Sequence, residues 1–286
     1  IQIFAKQETL GEEEYKYLKT YDIGDIIGVK GEVFRTQMGE ISVRAESVLL
    51  LTKTLQTLPE KFHGLKDTEI RYRQRYVDLI VNPEIREVFR KRTMIIKGIR
   101  EYLDNHGFME VETPILQTVY GGASASPFKT HHNALDIDLY LRISLEPYLK
   151  RLIVGGFDRV YEIGKCFRNE GIDRTHNPEF TMLELYQAYA DYNDMMALAE
   201  ELIVNTAMAV NGTTKVTFDG KEIDLAPPWK KIKMTDAIKE YSGLDVMSMS
   251  DDELKKAVKE YGGEIKGEYI RGLAIDELFQ ILVEDK

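Results

Sequence analysis

The sequence predicts an α+β protein, with a small β-rich piece at the start and a larger region of helices and antiparallel strands after it. Three observations carry that prediction. Short β-like runs broken by turn residues fill positions 1 to 51, apolar residues recur at helical spacing from Pro83 to His106, and two alternating strands flank a polar loop between Arg159 and Tyr189. At 286 residues the chain exceeds one small module and can bury a sizeable core, so one large domain plus a smaller one is expected.

Composition narrows the class. With 43% hydrophobic and 30% charged residues this is an ordinary globular protein, and no apolar run reaches the length of a membrane span. Nothing at the start reads as a signal peptide. The single cysteine, Cys166, excludes an internal disulfide framework and a cysteine-based metal cluster. A reducing, cytoplasmic location is the expectation. The formal net charge of −10 gives no general attraction to nucleic acid, so any RNA contact must come from local basic patches. The Arg71, Arg73, Arg75 alternation is either such a patch or a solvated linker.

The β-rich piece consists of Ile1 to Ala5, Gly24 to Val33 and Glu40 to Leu50, with a charged helical stretch from Glu12 to Lys19 between the first two runs. This is compatible with a five-stranded barrel, although too few strands are present to close one. The segment from Lys53 to Asp78, with Pro59, Gly64 and many charges, reads as a connection. A helix follows, with Asn82 as N-cap and Pro83 at its first position. Ile85, Val88, Phe89, Ile95, Ile96, Ile99 and Leu103 form its apolar stripe as far as Gly107. A short strand from Phe108 to Thr113 stops at Pro114.

Leu145 to Val154 is a helix ended by Gly155 and Gly156, and the strands Arg159 to Arg168 and Glu179 to Tyr189 come next. Their connection, Asn169 to Pro178, exceeds the usual hairpin length, which suggests binding. Beyond Asp194 a helix runs to about Val210, then a turn and a short hairpin through Leu225, then helices, one opened by a capping box at Ser250 and Glu253.

The stretch FRNEGIDRTHNPEFTMLELY, Phe167 to Tyr186, carries the chemistry. Alternation puts Arg168 and Glu170 together at the loop entrance and Phe180, Glu184 and Tyr186 on one face of the returning strand, with Leu183 and Leu185 opposite. An arginine fork can grip a phosphate or carboxylate, an aromatic ring can stack on a purine, and a carboxylate can hold an ammonium group. The plainer explanation is a surface hairpin whose charges pair in solvent.

This whole stretch resembles motif 2 of class II aminoacyl-tRNA synthetases, in the form seen in lysyl-tRNA synthetases. The resemblance extends to RYRQRYVDLI at Arg71 to Ile80, the motif 1 helix and strand ending at Pro114, GGASASPFKTHHNALD at Gly121 to Asp136, and YLKRLIVGGFDRVYEIG at Tyr148 to Gly164. It implies a partial OB-fold β-barrel for anticodon binding at 1–52, a linker at 53–78, and at 79–286 a class II catalytic domain built on an antiparallel sheet with flanking helices.

The implied activity is ATP-dependent formation of lysyl-adenylate and transfer of lysine to tRNA(Lys), with Mg²⁺, in the cytoplasm. The resemblance also implies a homodimer through the motif 1 helix. It assigns Arg168 to the α-phosphate and the substrate carboxylate, Glu170 and His176 to the nucleotide, Phe180 to adenine, and Gly122, Glu146, Glu184 and Tyr186 to the amino-acid pocket. Motif 3, the metal-binding carboxylates and the residues for the lysine side chain would lie beyond Lys286, and the first barrel strands before Ile1. Hence no metal ligand is assigned in this chain, and no lysine-dependent exchange is expected from residues 1–286 alone.

Two departures stand out. SLEPYLK at Ser144 to Lys150 keeps Glu146 but replaces the usual alanine-proline-glutamate-leucine order, and Ser126 stands where relatives often carry arginine. An aspartyl or asparaginyl relative and a non-catalytic synthetase-derived module remain the alternatives. His131 and His132 lack companions for a metal site, Gly164-Lys165 is no phosphate loop, and Cys166 is expected to pack beside the hairpin.

Overall fold

The computed structural model describes residues 1–56, 58, 65–173, 176–265 and 267–285. Pro59 and Gly64, which punctuate the expected linker, lie outside the described residues. The chain divides into two compact units, Ile1–Lys97 and Gly98–Lys286.

The first unit contains β1 (Gln2–Phe4), α1 (Gln7–Leu10), α2 (Glu12–Leu18), β2 (Ile26–Arg35), β3 (Ile41–Thr52), α3 (Thr68–Arg73), α4 (Arg75–Val81) and the start of α5 (Ile85–Asn105). Strand β3 is central, with β1 parallel on one side and β2 antiparallel on the other. Ala45 and Val48 of β3 and Leu10 of α1 form the core, covered by Ile3, Tyr15, Ile27 and Val29. The register of β2 against β3 shifts after Lys30. There the backbones approach so closely that a Cβ on Gly31 would lie 1.9 Å from the Arg44 carbonyl oxygen, a site only glycine can fill. Among the described residues this sheet is open and no closed barrel forms.

Two helices occupy the end of the stretch that reads as a connection. Asp67 caps α3 by accepting from the Ile70 N–H at 2.9 Å. Asp78, fully buried on α4, accepts from Arg71 Nε at 2.8 Å and from Asn82 Nδ2 at 2.7 Å, and pairs with Arg75; Arg73 pairs with Glu69 at 2.6 Å. The bond from Asn82, offset in part by burial and reinforced by Arg71, holds the Asp78 carboxyl below its usual range. Two of the three arginines in the alternation thus pair with one buried carboxylate, because a buried charge needs an opposite one, while Arg73 pairs with Glu69. Asn82 is likewise drawn to Asp78 rather than to an N-cap role, and α5 starts at Ile85 rather than Pro83.

The second unit contains β4 (Met109–Glu110), β5 (Leu116–Gln117), β6 (Lys129–His132), β7 (Ile137–Leu141), α6 (Glu146–Val154), β8 (Arg159–Phe167), β9 (Glu179–Gln187), α7 (Tyr192–Asn211), β10 (Lys215–Phe218), β11 (Lys221–Asp224), α8 (Met234–Ser242), α9 (Asp251–Glu260) and α10 (Arg271–Leu282). Strands β8 and β9 pair antiparallel without interruption from Arg159 opposite Gln187 to Phe167 opposite Glu179. Strand β4 joins β8 in parallel, so the sheet is mixed, and β5, β7 and β6 form a separate antiparallel sheet.

The period-two alternation gives the hairpin two working faces. Leu183 and Leu185 pack with Tyr161, Phe108, Leu103 of α5 and Leu202 of α7. On the other side Phe180, Met182 and Tyr186 pack with Val160, Cys166 and with Leu145 and Leu149 at the start of α6. A third core, with Ile238, Leu254, Val258 and Leu278, gathers α8, α9 and α10. As the sequence predicts, Ser250 caps α9, and Glu253 Oε2 accepts in return from the Ser250 N–H at 2.7 Å. No helix among the described residues is long and apolar enough to cross a membrane.

Candidate functional site

The link between β7 and α6 aims two donors at the Glu184 carboxylate, and β9 itself adds a third. Leu145 N–H donates to Glu184 Oε1 at 2.9 Å and Ser144 Oγ to the same oxygen at 3.2 Å, while Tyr186 Oη donates to Glu184 Oε2 at 3.3 Å. Glu184 therefore sits at the N-terminus of α6, where free N–H groups and the helix dipole favour an anion. Burial, and next to it the Glu184 charge, push the Tyr186 phenol above its ordinary range, which keeps it a proton donor.

Glu146 lies in the first turn of α6, its N–H donating to Ser144 Oγ at 3.0 Å and its carboxylate paired with Lys150 at 2.6 Å. Gly122, at φ +87°, backs directly onto these groups. A Cβ there would fall 2.4 Å from Ser144 Oγ and 3.0 Å from Glu146 Cβ.

Arg168 and Phe180 form a second group at the far end of the same hairpin. The guanidinium carbon lies 5.2 Å from the Phe180 ring centroid, within cation–π range, and Arg168 Nε donates to the Ile143 carbonyl at 3.4 Å. The Asn169 N–H donates to the Ser126 carbonyl at 2.8 Å and ties the 121–128 segment to the hairpin mouth. Glu170 is exposed, its N–H bonded to the Arg168 carbonyl. His176, also exposed, has its ring 2.8 Å from Asp173 Oδ2 and its N–H on Asp173 Oδ1 at 2.7 Å. Arg174 and Thr175 of this loop lie outside the described residues.

Beneath both groups is a buried ion pair. Arg142 is 2% exposed and Glu162 3% exposed, and Arg142 Nη1 meets Glu162 Oε1 at 2.5 Å. Arg142 also donates to the carbonyls of Lys165 at 2.8 Å and Thr113 at 3.0 Å, and Thr113 Oγ1 donates to Glu162 Oε2 at 2.6 Å. Every charge there meets a partner, as a low-dielectric interior demands.

A family model described as tRNA synthetases class II (D, K and N) matches residues 67–268. The chain belongs to that family. A lysine–tRNA ligase of Thermoanaerobacter sp. (strain X514) is 60% identical over 285 residues, which is 99% of this chain and 57% of the relative. A second, from Syntrophomonas wolfei subsp. wolfei, is 57% identical over 287 residues and a third, from Clostridium acetobutylicum, 55% over 290; the chain covers 58% and 56% of their lengths.

In this class II synthetase chain the residues singled out from sequence divide by place. Gly122, Glu146, Glu184 and Tyr186 come together around the start of α6, and Arg168 and Phe180 stand together, whereas Glu170 and His176 lie on exposed backbone of the hairpin loop. Sequence reasoning missed Ser144, Thr113, Arg142 and Glu162. The one available signal was Arg142 itself, a charge set between Leu141 and Ile143 at the end of an alternating run. Among the described residues no group of three or more His, Cys, Asp or Glu is placed to hold a metal ion, and His131 faces Asp136 at 3.2 Å.

Proposed function

We propose that this chain is the activation core of a lysine–tRNA ligase, binding ATP and L-lysine, forming lysyl-adenylate with release of pyrophosphate, and passing the lysyl group to the 3′ end of tRNA(Lys). The observation that carries the proposal is the gathering of two carboxylates, Glu184 and Glu146, with Tyr186 and Gly122 at the start of α6, beside the hairpin that bears Arg168 and Phe180. Lysine brings two ammonium groups and needs more than one carboxylate. The relatives' shared name, lysine–tRNA ligase, points the same way.

In this reading the lysine carboxylate attacks the α-phosphorus of ATP, a carboxyl–phosphate bond forms and the bond to pyrophosphate breaks. Arg168 would grip the α-phosphate and the reacting carboxylate, offsetting negative charge as it develops. Phe180 would lie against adenine, with Glu170 and His176 on the nucleotide. Glu184 and Glu146 would hold ammonium, and Gly122 and Tyr186 would complete the pocket. No covalent nucleophile is called for: burial pushes the Cys166 thiol up to about 11, which keeps it protonated and inert near neutrality. Mg²⁺, when bound, would neutralise charge on the triphosphate; among the described residues no group of three or more carboxylates or histidines is placed to hold it.

The same reading takes residues 1–52 as a partial OB-fold anticodon module, 53–78 as a linker and 79–286 as the catalytic domain, in a cytoplasmic homodimer joined through α5. Val88, Phe89 and Ile95 support the dimer, being 61%, 43% and 40% exposed on an amphipathic helix. The test is lysine-dependent ATP–pyrophosphate exchange by this chain joined to the further length its relatives carry. Exchange with lysine and not with aspartate or asparagine is expected; equal exchange with aspartate, or none with lysine, overturns the proposal.

A further inference from the structure

Residues 142 to 145 touch both groups of the site in succession. The Arg142 carbonyl accepts from the Phe167 N–H at 2.9 Å, the Ile143 carbonyl from Arg168 Nε, and Ser144 Oγ and Leu145 N–H hold Glu184. What anchors the link is the Arg142 side chain, buried and bonded to Glu162, Thr113 and the Lys165 carbonyl. Space for it exists because residue 164 is glycine: a Cβ there would lie 2.2 Å from Arg142 Nη2 and 3.0 Å from Glu162 Oε1.

We infer that Arg142 is a positioning residue, pinning the 142–145 link to β8 through Glu162, Thr113 and Lys165 and so holding Arg168 and Glu184 in one fixed relation. The inference rests on the roles proposed above for Arg168 and Glu184. A planar guanidinium suits this task because its fork reaches a carboxylate and backbone carbonyls at once. Lysine at the same place keeps the charge and loses the fork.

Two measurements test it. In hydrogen–deuterium exchange on the chain itself, Arg142→Lys should speed exchange of the Phe167 and Leu145 amides by about tenfold while amides of α9 and α10, which belong to another core, are unchanged. The double variant Arg142→Met with Glu162→Met removes the pair without stranding a charge and should release the same two amides. In the extended chain, Arg142→Lys should lower kcat for pyrophosphate exchange about tenfold, but less than about twofold when Arg168 is already alanine, since residues acting through one another are not additive. Unchanged amides in both variants, or equal kinetic losses in both backgrounds, overturn the inference. A parent without lysine-dependent exchange removes the proposed function instead, and the amide measurement then decides the positioning role alone.

Discussion

Replacing Gly122 by alanine tests the amino-acid pocket most directly. The new Cβ would stand 2.4 Å from Ser144 Oγ, a full ångström inside the 3.4 Å at which ordinary contact begins. Ser144 Oγ cannot yield freely, because it donates to Glu184 at 3.2 Å and accepts from the Glu146 N–H at 3.0 Å. Losing one bond to a charged group costs about 1.5–3 kcal/mol, roughly 10- to 150-fold in affinity. The left-handed φ of +87° adds about 1–2 kcal/mol for any L-residue. Gly122 is exposed, so its segment can give way locally while the cores stay intact.

The expected result, in the chain extended to the length of its relatives, is a lysine KM raised at least about tenfold with a thermal midpoint within a few degrees of the parent. Adding Ser144→Ala removes the oxygen that is struck and should recover part of the loss. A lysine KM within about twofold of the parent in Gly122→Ala would refute the placement of Ser144 and Glu184 in the pocket.

Arg168→Ala in the extended chain should slow lysyl-adenylate formation by roughly 100- to 1000-fold, the loss typical of one oxyanion-type donor, with little change in stability; a rate within about threefold would remove it from the site. Cys166→Ala should flatten the alkaline loss of stability. A thiol whose folded pKa rises from 9.0 to about 11 holds its proton more tightly when folded, so its contribution is complete below 9 and disappears as pH rises toward 11. Urea midpoints of parent and variant that fall in parallel between those values would contradict this. Ile95→Glu, on the exposed part of α5, should convert a dimer to a monomer in sedimentation, and an unchanged sedimentation coefficient would place the dimer contact elsewhere.

What could be read from sequence follows from which interactions are local. Alternation placed β8 from Arg159 and β9 from Glu179, and the Ser250–Glu253 box placed α9, because pleat and cap are set by neighbours in the chain. Strands β5, β6 and β7 escaped notice because Leu116–Gln117 is too short for a period, and Lys129–His132 is polar throughout. Asn82 had the chemistry of a cap, yet a buried carboxylate on the preceding helix outcompeted the turn for its amide. The residues assigned to the pocket were singled out by type and motif, whereas the Arg142–Glu162 pair was not, since twenty residues separate its members and only the fold brings them together. A charge in an apolar run announces a partner without saying where that partner is.

The bond from the Asn169 N–H to the Ser126 carbonyl is made entirely by backbone. Position 126 can therefore change its side chain without unlatching the 121–128 segment from the hairpin mouth. Proline at position 169 is a different matter, because it removes the donor itself. Sequence variation at the two ends of this latch should thus be lopsided: free in side chain at 126, and closed to proline at 169.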